Sequence, residues 1–240
     1  MVESLEVTSV ERAEVLRYLG YHGQEITAEV EARLNEAIAR CLSLARPRAS
    51  LRSFGCGQKT VRDDETPELS LQGCALVLEG KSIEEHLDGA VEVGVMAVTL
   101  GSDVDRELRR LSLTDPLGQV LFDAAATAAI ECAADAAEAL LVSDAASRGL
   151  YTNWRFSPGY GYLPLSCQPT LLSVLDATRR LGITLTPSLL MVPTKSVTAV
   201  LGYFPQPRIG ARPGCKECNL RDYCSIRASG TTCHGAQALS

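Results

Sequence analysis

Aromatic residues are scarce: one Trp, four Phe and seven Tyr make up 5% of the 240 residues. The chain is nonetheless 46% hydrophobic and 22% charged, values of a folded globular protein and not of a disordered one. It also lacks a basic excess. The formal net charge of −6 excludes wholesale nucleic-acid binding, which needs a cationic face, though it leaves room for a local basic pocket. Long apolar runs are missing too. The stretch Val93–Gly101 is far too short to cross a bilayer. Met1 to Glu11 carry early acids and no apolar centre, so no export signal is read and a cytoplasmic protein is expected. Neither internal repeats nor low-complexity tracts occur. A chain of this length can bury a large core without covalent staples.

What is present in unusual number is cysteine, nine in all. In a chain without an export signal these are expected as thiols or metal ligands. Cys41, Cys74 and Cys132 lie on apolar patterns and read as buried structural residues. Cys215, Cys218, Cys224 and Cys233 instead crowd into the end of the chain with the spacing C-x2-C-x5-C-x8-C. A C-x2-C turn aims two thiolates at one centre, and two further cysteines complete four ligands. Zinc, a [4Fe–4S] cluster and a disulfide pair are the three readings. The single C-x2-C knuckle, with Arg221 and Arg227 close by, puts the cluster ahead of zinc. His234 beside Cys233 is a substitute ligand or an exposed side chain.

The pattern of elements is mixed. Helices are expected from Ser9 to Gly20, from the Thr27 cap to Arg46, and from the cap–proline pair Asp115-Pro116 to about Gly149. Ser82-Ile83-Glu84-Glu85 reads as a capping box opening a short helix, Ser102 as the cap of another, and Pro169 as the start of one reaching Gly182. Strands are expected within 50–78, over Val91–Leu100, over Ile183–Val192 and over Ser196–Phe204. No regular βαβ period appears, so the class is α+β. Three prolines and two glycines in residues 203–214 mark a linker. A main domain over 1–206 and a cysteine-bearing segment over 207–240 follow.

Two features could carry chemistry. On the long helix, Glu131, Asp135 and Glu138 fall at i, i+4 and i+7, a stripe that reads either as a solvated face or as carboxylates lining a cationic ligand site. After that helix comes Arg155-Phe156-Ser157-Pro158-Gly159-Tyr160-Gly161-Tyr162. Proline and glycine forbid regular structure there and leave backbone groups over for a ligand. The arginine offers a fork for a carboxylate, and the tyrosines offer flat faces for a cation or a base. A plain surface loop is the competing reading.

The spacing Arg-x-x-Pro-Gly-Tyr after a long helix resembles the S-adenosylmethionine-binding motif in the reactivation domain of cobalamin-dependent methionine synthase. Val91–Leu100, the helix bearing Glu131, Gly182-Ile183-Thr184-Leu185-Thr186 and Met191–Thr198 fit in order, so the resemblance covers roughly 65–206. It looks most like the small stand-alone homologues of that domain. The resemblance implies a curved antiparallel sheet with packed helices. It implies that Arg155 pairs with the methionyl carboxylate, that Ser157 offers backbone hydrogen bonds, that Gly159 permits close approach, and that Tyr160 lies near the sulfonium and the corrin. Glu131 matches a helix glutamate close to the ligand, Asp63 and Asp64 are candidates for an acidic contact to its amino group, and Lys195 and Thr198 face the cleft or limit an edge strand. The expected function is to support reductive remethylation of cobalamin held by a partner methionine synthase or other corrinoid methyltransferase, with the tail cluster as electron relay. The alternatives are a non-catalytic module that caps the cobalamin partner, with structural zinc in the tail, and an iron–sulfur redox protein that needs no methyl donor.

Overall fold

Strand β5 (Glu92–Thr99) lies at the centre of the fold, buried along nearly its whole length. In this computed structural model, which describes residues 2–21 and 23–208, β5 pairs on one edge with β2 (Arg48–Val61) and on the other with β9 (Ser196–Phe204). Met96 stands opposite Leu51 on one side and Ala199 on the other. The long strand β2 serves two partners along its outer edge, first β1 (Val2–Ser4) and then β3 (Pro67–Leu71). β4 (Val77–Glu79) follows beyond β3, and β6 (Tyr151–Thr152) beyond β9, so that six strands run β4-β3-β2-β5-β9-β6, with β1 beside β2 as the seventh and every pairing antiparallel.

Alternate residues of the central strands enter two separate cores, the period-2 geometry of a pleated strand covered on both faces. Met96, Val98, Ala199 and Leu201 pack under α1 (Arg12–Tyr18), α2 (Ala28–Leu44), α4 (Ser102–Thr114) and α5 (Pro116–Ser147). Val93, Val95, Ala97 and Val200 pack against α3 (Lys81–His86), α6 (Gln168–Val174) and α7 (Ala177–Leu181). The class is therefore α+β, with helices covering an antiparallel sheet. The helix α5, about 48 Å long at 1.5 Å per residue, buries Ala125, Ala126, Ala129, Ala133, Ala134 and Ala137. Those methyl groups let it lie close to its neighbours. Its start is set as expected: the Asp115 carboxylate accepts the Gly118 N–H at 3.0 Å, with Pro116 at the first position. Thr27 caps α2 in the same way, accepting from Val30 N–H at 3.3 Å.

Several sequence expectations are corrected. Ser82 and Ser102 are not caps; the caps are Gly80 and Gly101, with φ of 115° and 86°. Ser82 Oγ accepts the Tyr162 N–H instead. The helix expected from Ser9 begins at Arg12. The strand expected over Ile183–Val192 is a hairpin, β7 (Thr184–Leu185) and β8 (Met191–Val192). Thr186 turns it by accepting from Leu190 N–H at 3.1 Å, and Pro187 overrides the apolar pattern. The helix expected from Pro169 to Gly182 breaks at Asp176 (φ 52°) because side chains of β2 take its carbonyls. Ser50 Oγ donates to Leu175 O (2.8 Å) and Arg52 to Val174 O (2.9 Å). Cys41 is buried as expected, and burial pushes its thiol up to about 12. Cys74 and Cys132 are only half-buried.

Candidate functional site

The segment 151–156 runs beside β9 as an interrupted strand. Thr152 pairs with Tyr203, and Phe156 bridges Val200, so three residues, 153–155, stand against two, 201 and 202. This is a bulge of one residue, and bulges re-aim side chains. In regular register Arg155 would lie opposite Val200, whose side chain points into the α3–α6–α7 core. The extra residue brings Arg155 instead onto α5. Asn153 fixes the bulge from inside: its Nδ2 donates to His86 O at 2.7 Å, and its Oδ1 accepts the Gly202 N–H at 2.8 Å. Both bonds are buried.

On α5 the guanidinium meets the whole acidic stripe. Arg155 Nη2 donates to Glu131 Oε2 at 2.7 Å, and Nη1 donates to Glu138 Oε2 at 2.7 Å and to Asp135 Oδ1. The other Glu138 oxygen accepts the Arg155 backbone N–H at 3.1 Å. The arginine side chain is 16% exposed and that of Glu138 13%, whereas Glu131 and Asp135 are 43% and 69% exposed. Burial opposes the arginine's charge, but the hydrogen bond to Asp135 and its neighbours outweighs it, and the guanidinium is held more firmly protonated than usual. Three carboxylates on one guanidinium leave the cluster anionic by two charges. The stripe is thus neither a plain solvated face nor free to receive a cation alone: its members organise the motif arginine.

Beyond Phe156 the chain makes the compact loop 157–163. Ser157 C=O accepts from Tyr160 N–H at 3.2 Å, and Gly159 N–H, at φ 89°, donates to Leu163 O at 2.8 Å. Tyr160 is 58% exposed. The loop rests on the start of α3, where a Cβ on Gly80 would collide with the Tyr162 carbonyl oxygen. Glu131 and Arg155 are therefore directly bonded, while Ser157, Gly159 and Tyr160 follow on the adjoining loop.

Other expected residues lie elsewhere. Asp63 and Asp64 sit at the β2–β3 turn, where Asp64 accepts from Thr66 N–H at 3.1 Å and lies 3.8 Å from Arg62. Neither is bonded to Arg155. Lys195 donates to Asp123 and Thr127 of α5, both at 2.8 Å. Thr198 donates to the buried Gln168 at 3.0 Å. Cys215, Cys218, Cys224, Cys233 and His234 lie outside the described residues. Among the described residues no cluster of His, Cys, Asp and Glu has the arrangement of a metal site, and no helix is long and apolar enough to cross a membrane.

Sequence reasoning assigned nothing to His86. Trp154 is half-buried and meets His86 edge-on, with centroids 5.2 Å apart; Phe156 lies 5.0 Å from the same imidazole. His86 is 6% exposed, and its Nε2 has no hydrogen-bond partner among the described residues. Burial, opposed by a hydrogen bond to the Trp154 backbone, pushes the imidazole down to about 4. The ring is neutral and acts as an aromatic wall on which the residues flanking Arg155 lean.

Fold and site together define an α+β domain that presents an anionic, arginine-centred site between a long helix and a glycine-rich loop. The chain belongs to the family of vitamin B12-dependent methionine synthase activation domains, whose family profile matches residues 58–227. It is similar to the crystallised MetH reactivation domain bound to AdoHcy, at 18% sequence identity and a TM-score of 0.57, over 97% of this chain and 86% of that one. That likeness shows the fold. No curated protein matches the chain.

Proposed function

We propose that this chain binds S-adenosylmethionine at the Arg155 site and supports the reductive remethylation of cobalamin on a partner, a methionine synthase or another corrinoid methyltransferase. The chain is an accessory module in that reaction, and residues 1–206 carry the binding domain. Family membership supplies the context, and the similar reactivation domain was solved with AdoHcy. The observation that carries the reading is the charge of the site. S-adenosylmethionine brings a sulfonium, an ammonium and a carboxylate. A guanidinium ringed by three carboxylates offers a partner to each sign.

Arg155 takes the ligand carboxylate by exchange with its most exposed partner, Asp135. Glu131 and the released carboxylate then offset the ligand's cations, and the ring of the exposed Tyr160 gives the sulfonium an aromatic face. Once one electron from a reductant has converted the partner's cob(II)alamin to cob(I)alamin, cobalt(I) would take the donor's methyl group, the methyl–sulfur bond would break with its electron pair left on sulfur, and neutral S-adenosylhomocysteine would leave. No nucleophile or general base from this chain is needed, so its contribution is positioning. Cys215, Cys218, Cys224 and Cys233 hold a [4Fe–4S] cluster in this reading, which rests on their spacing alone.

Calorimetric titration with S-adenosylmethionine tests the proposal. Saturable binding is expected from the native protein and none from Arg155→Ala. One observation favours a second reading: Arg155 already has three anionic partners within the chain. If folded protein binds no methyl donor, the function is docking on the corrinoid protein or reducing it. Metal analysis of anaerobically purified protein separates those two, zinc marking the first and iron with sulfide the second.

A further inference from the structure

The bulge that turns Arg155 toward α5 has a cost. Phe156 N–H donates to Val200 O (2.7 Å) and Asn153 N–H to Gly202 O (3.4 Å), but the extra residue lifts the Arg155 N–H out of the ladder. An N–H so displaced in a half-buried place needs another acceptor. Glu138 Oε1 is that acceptor, at 3.1 Å, while Glu138 Oε2 holds the guanidinium of the same residue at 2.7 Å. One carboxylate thus fixes both ends of one arginine. Its side chain is the least exposed of the three acids, and it stands on a helix seated in the core by buried neighbours, Ala134, Ala137 and Leu141 among them.

We infer that Glu138 is the positioning residue of the site: it completes the bulge and sets the guanidinium where a ligand carboxylate can replace Asp135. The three acids therefore divide the work. Glu138 is the fixed arm, Asp135 the exchangeable one, and Glu131 lies between them in exposure. This inference rests on the binding reading above and assigns it a determinant of ligand class: the site selects donors that carry an α-carboxylate.

Two measurements test it. The first is titration of the native protein, Glu138→Ala and Glu138→Gln with S-adenosylmethionine and with its decarboxylated analogue. Glu138→Ala is expected to weaken S-adenosylmethionine about tenfold or more, the range of a lost charge-assisted hydrogen bond, and to weaken the decarboxylated analogue less than about twofold on the same scale. Glu138→Gln, which keeps an acceptor for the N–H, is expected to fall between. An equal loss for both ligands, or no loss for either, would overturn the assignment, because a merely structural role has no preference for the carboxylate. The second is amide hydrogen exchange of Arg155 in the ligand-free protein, which Glu138→Ala is expected to speed about tenfold or more. Unchanged exchange overturns the clamp by itself. If the native protein binds neither ligand, the binding reading falls, and the exchange result still decides whether Glu138 holds Arg155.

Discussion

Lowering the pH from 7 to 5 should expose the buried imidazole of His86 as a measurable destabiliser. In the unfolded chain a histidine titrates near 6.5; in the fold, burial takes this one down to about 4. Below pH 6.5 the unfolded state takes up a proton that the folded state refuses. Stability is therefore full above about 6.5 and drains away as pH falls toward 4. At about 1.4 kcal/mol per pH unit the loss is on the order of 2 kcal/mol by pH 5 and roughly 3 kcal/mol in full. Carboxylates such as Glu107, Asp115 and Asp176 are held below their usual range by hydrogen bonds from Arg110, Arg33 and Arg179, so their contribution is lost at lower pH. The interval from 6.5 to 5 thus belongs mainly to histidine. The assay is urea unfolding at half-unit steps for the native protein and His86→Phe, which keeps a ring against Trp154 and Phe156. The variant's stability is expected to be flatter with pH by up to about 1.4 kcal/mol per unit. Parallel curves would refute the picture of a neutral, dry imidazole behind the Arg155 segment.

Asn153→Ala removes two buried hydrogen bonds and leaves the Gly202 N–H without its acceptor; a loss of about 2–3 kcal/mol in urea unfolding is expected. Gly80→Ala drives a methyl group into the Tyr162 carbonyl and should cost roughly 2 kcal/mol or more in unfolding while weakening donor binding, because the loop 157–163 must shift. Gly73→Ala, also at positive φ but in open space, is the control: roughly 1 kcal/mol of backbone strain and unchanged binding.

Much of this was legible in the sequence. Thr27 and Asp115-Pro116 mark the starts of α2 and α5 because a cap is a local interaction within four residues. β5 and β9 announce themselves by continuous apolar runs, since both faces are covered. The motif arginine and the i, i+4, i+7 spacing of the acids were both visible. What stayed hidden was that the two meet. That depends on a register change against β9, and register is a property of the pair of strands and not of either alone. The role of Glu138 follows from the bulge and was hidden with it. Ser82 misled because Gly80, two residues earlier, is forced by the close approach of Tyr162, which is 82 positions away. His86 gave no signal because its partners, Trp154 and Phe156, are also remote in the chain.

The packing of α5 bears on how such a site can evolve. A helix seated by alanines on the sheet and under three other helices can neither rotate nor slide to re-aim its acids without clashes along its length. The spacing of Glu131, Asp135 and Glu138 works as a ruler whose marks change only by substitution in place. The loop 157–163 has no such constraint on its outer side, where Tyr160 and Tyr162 face solvent. Under the proposed binding role, divergence among relatives in which ligand they accept should therefore accumulate in the loop, while the helix keeps its acids in place.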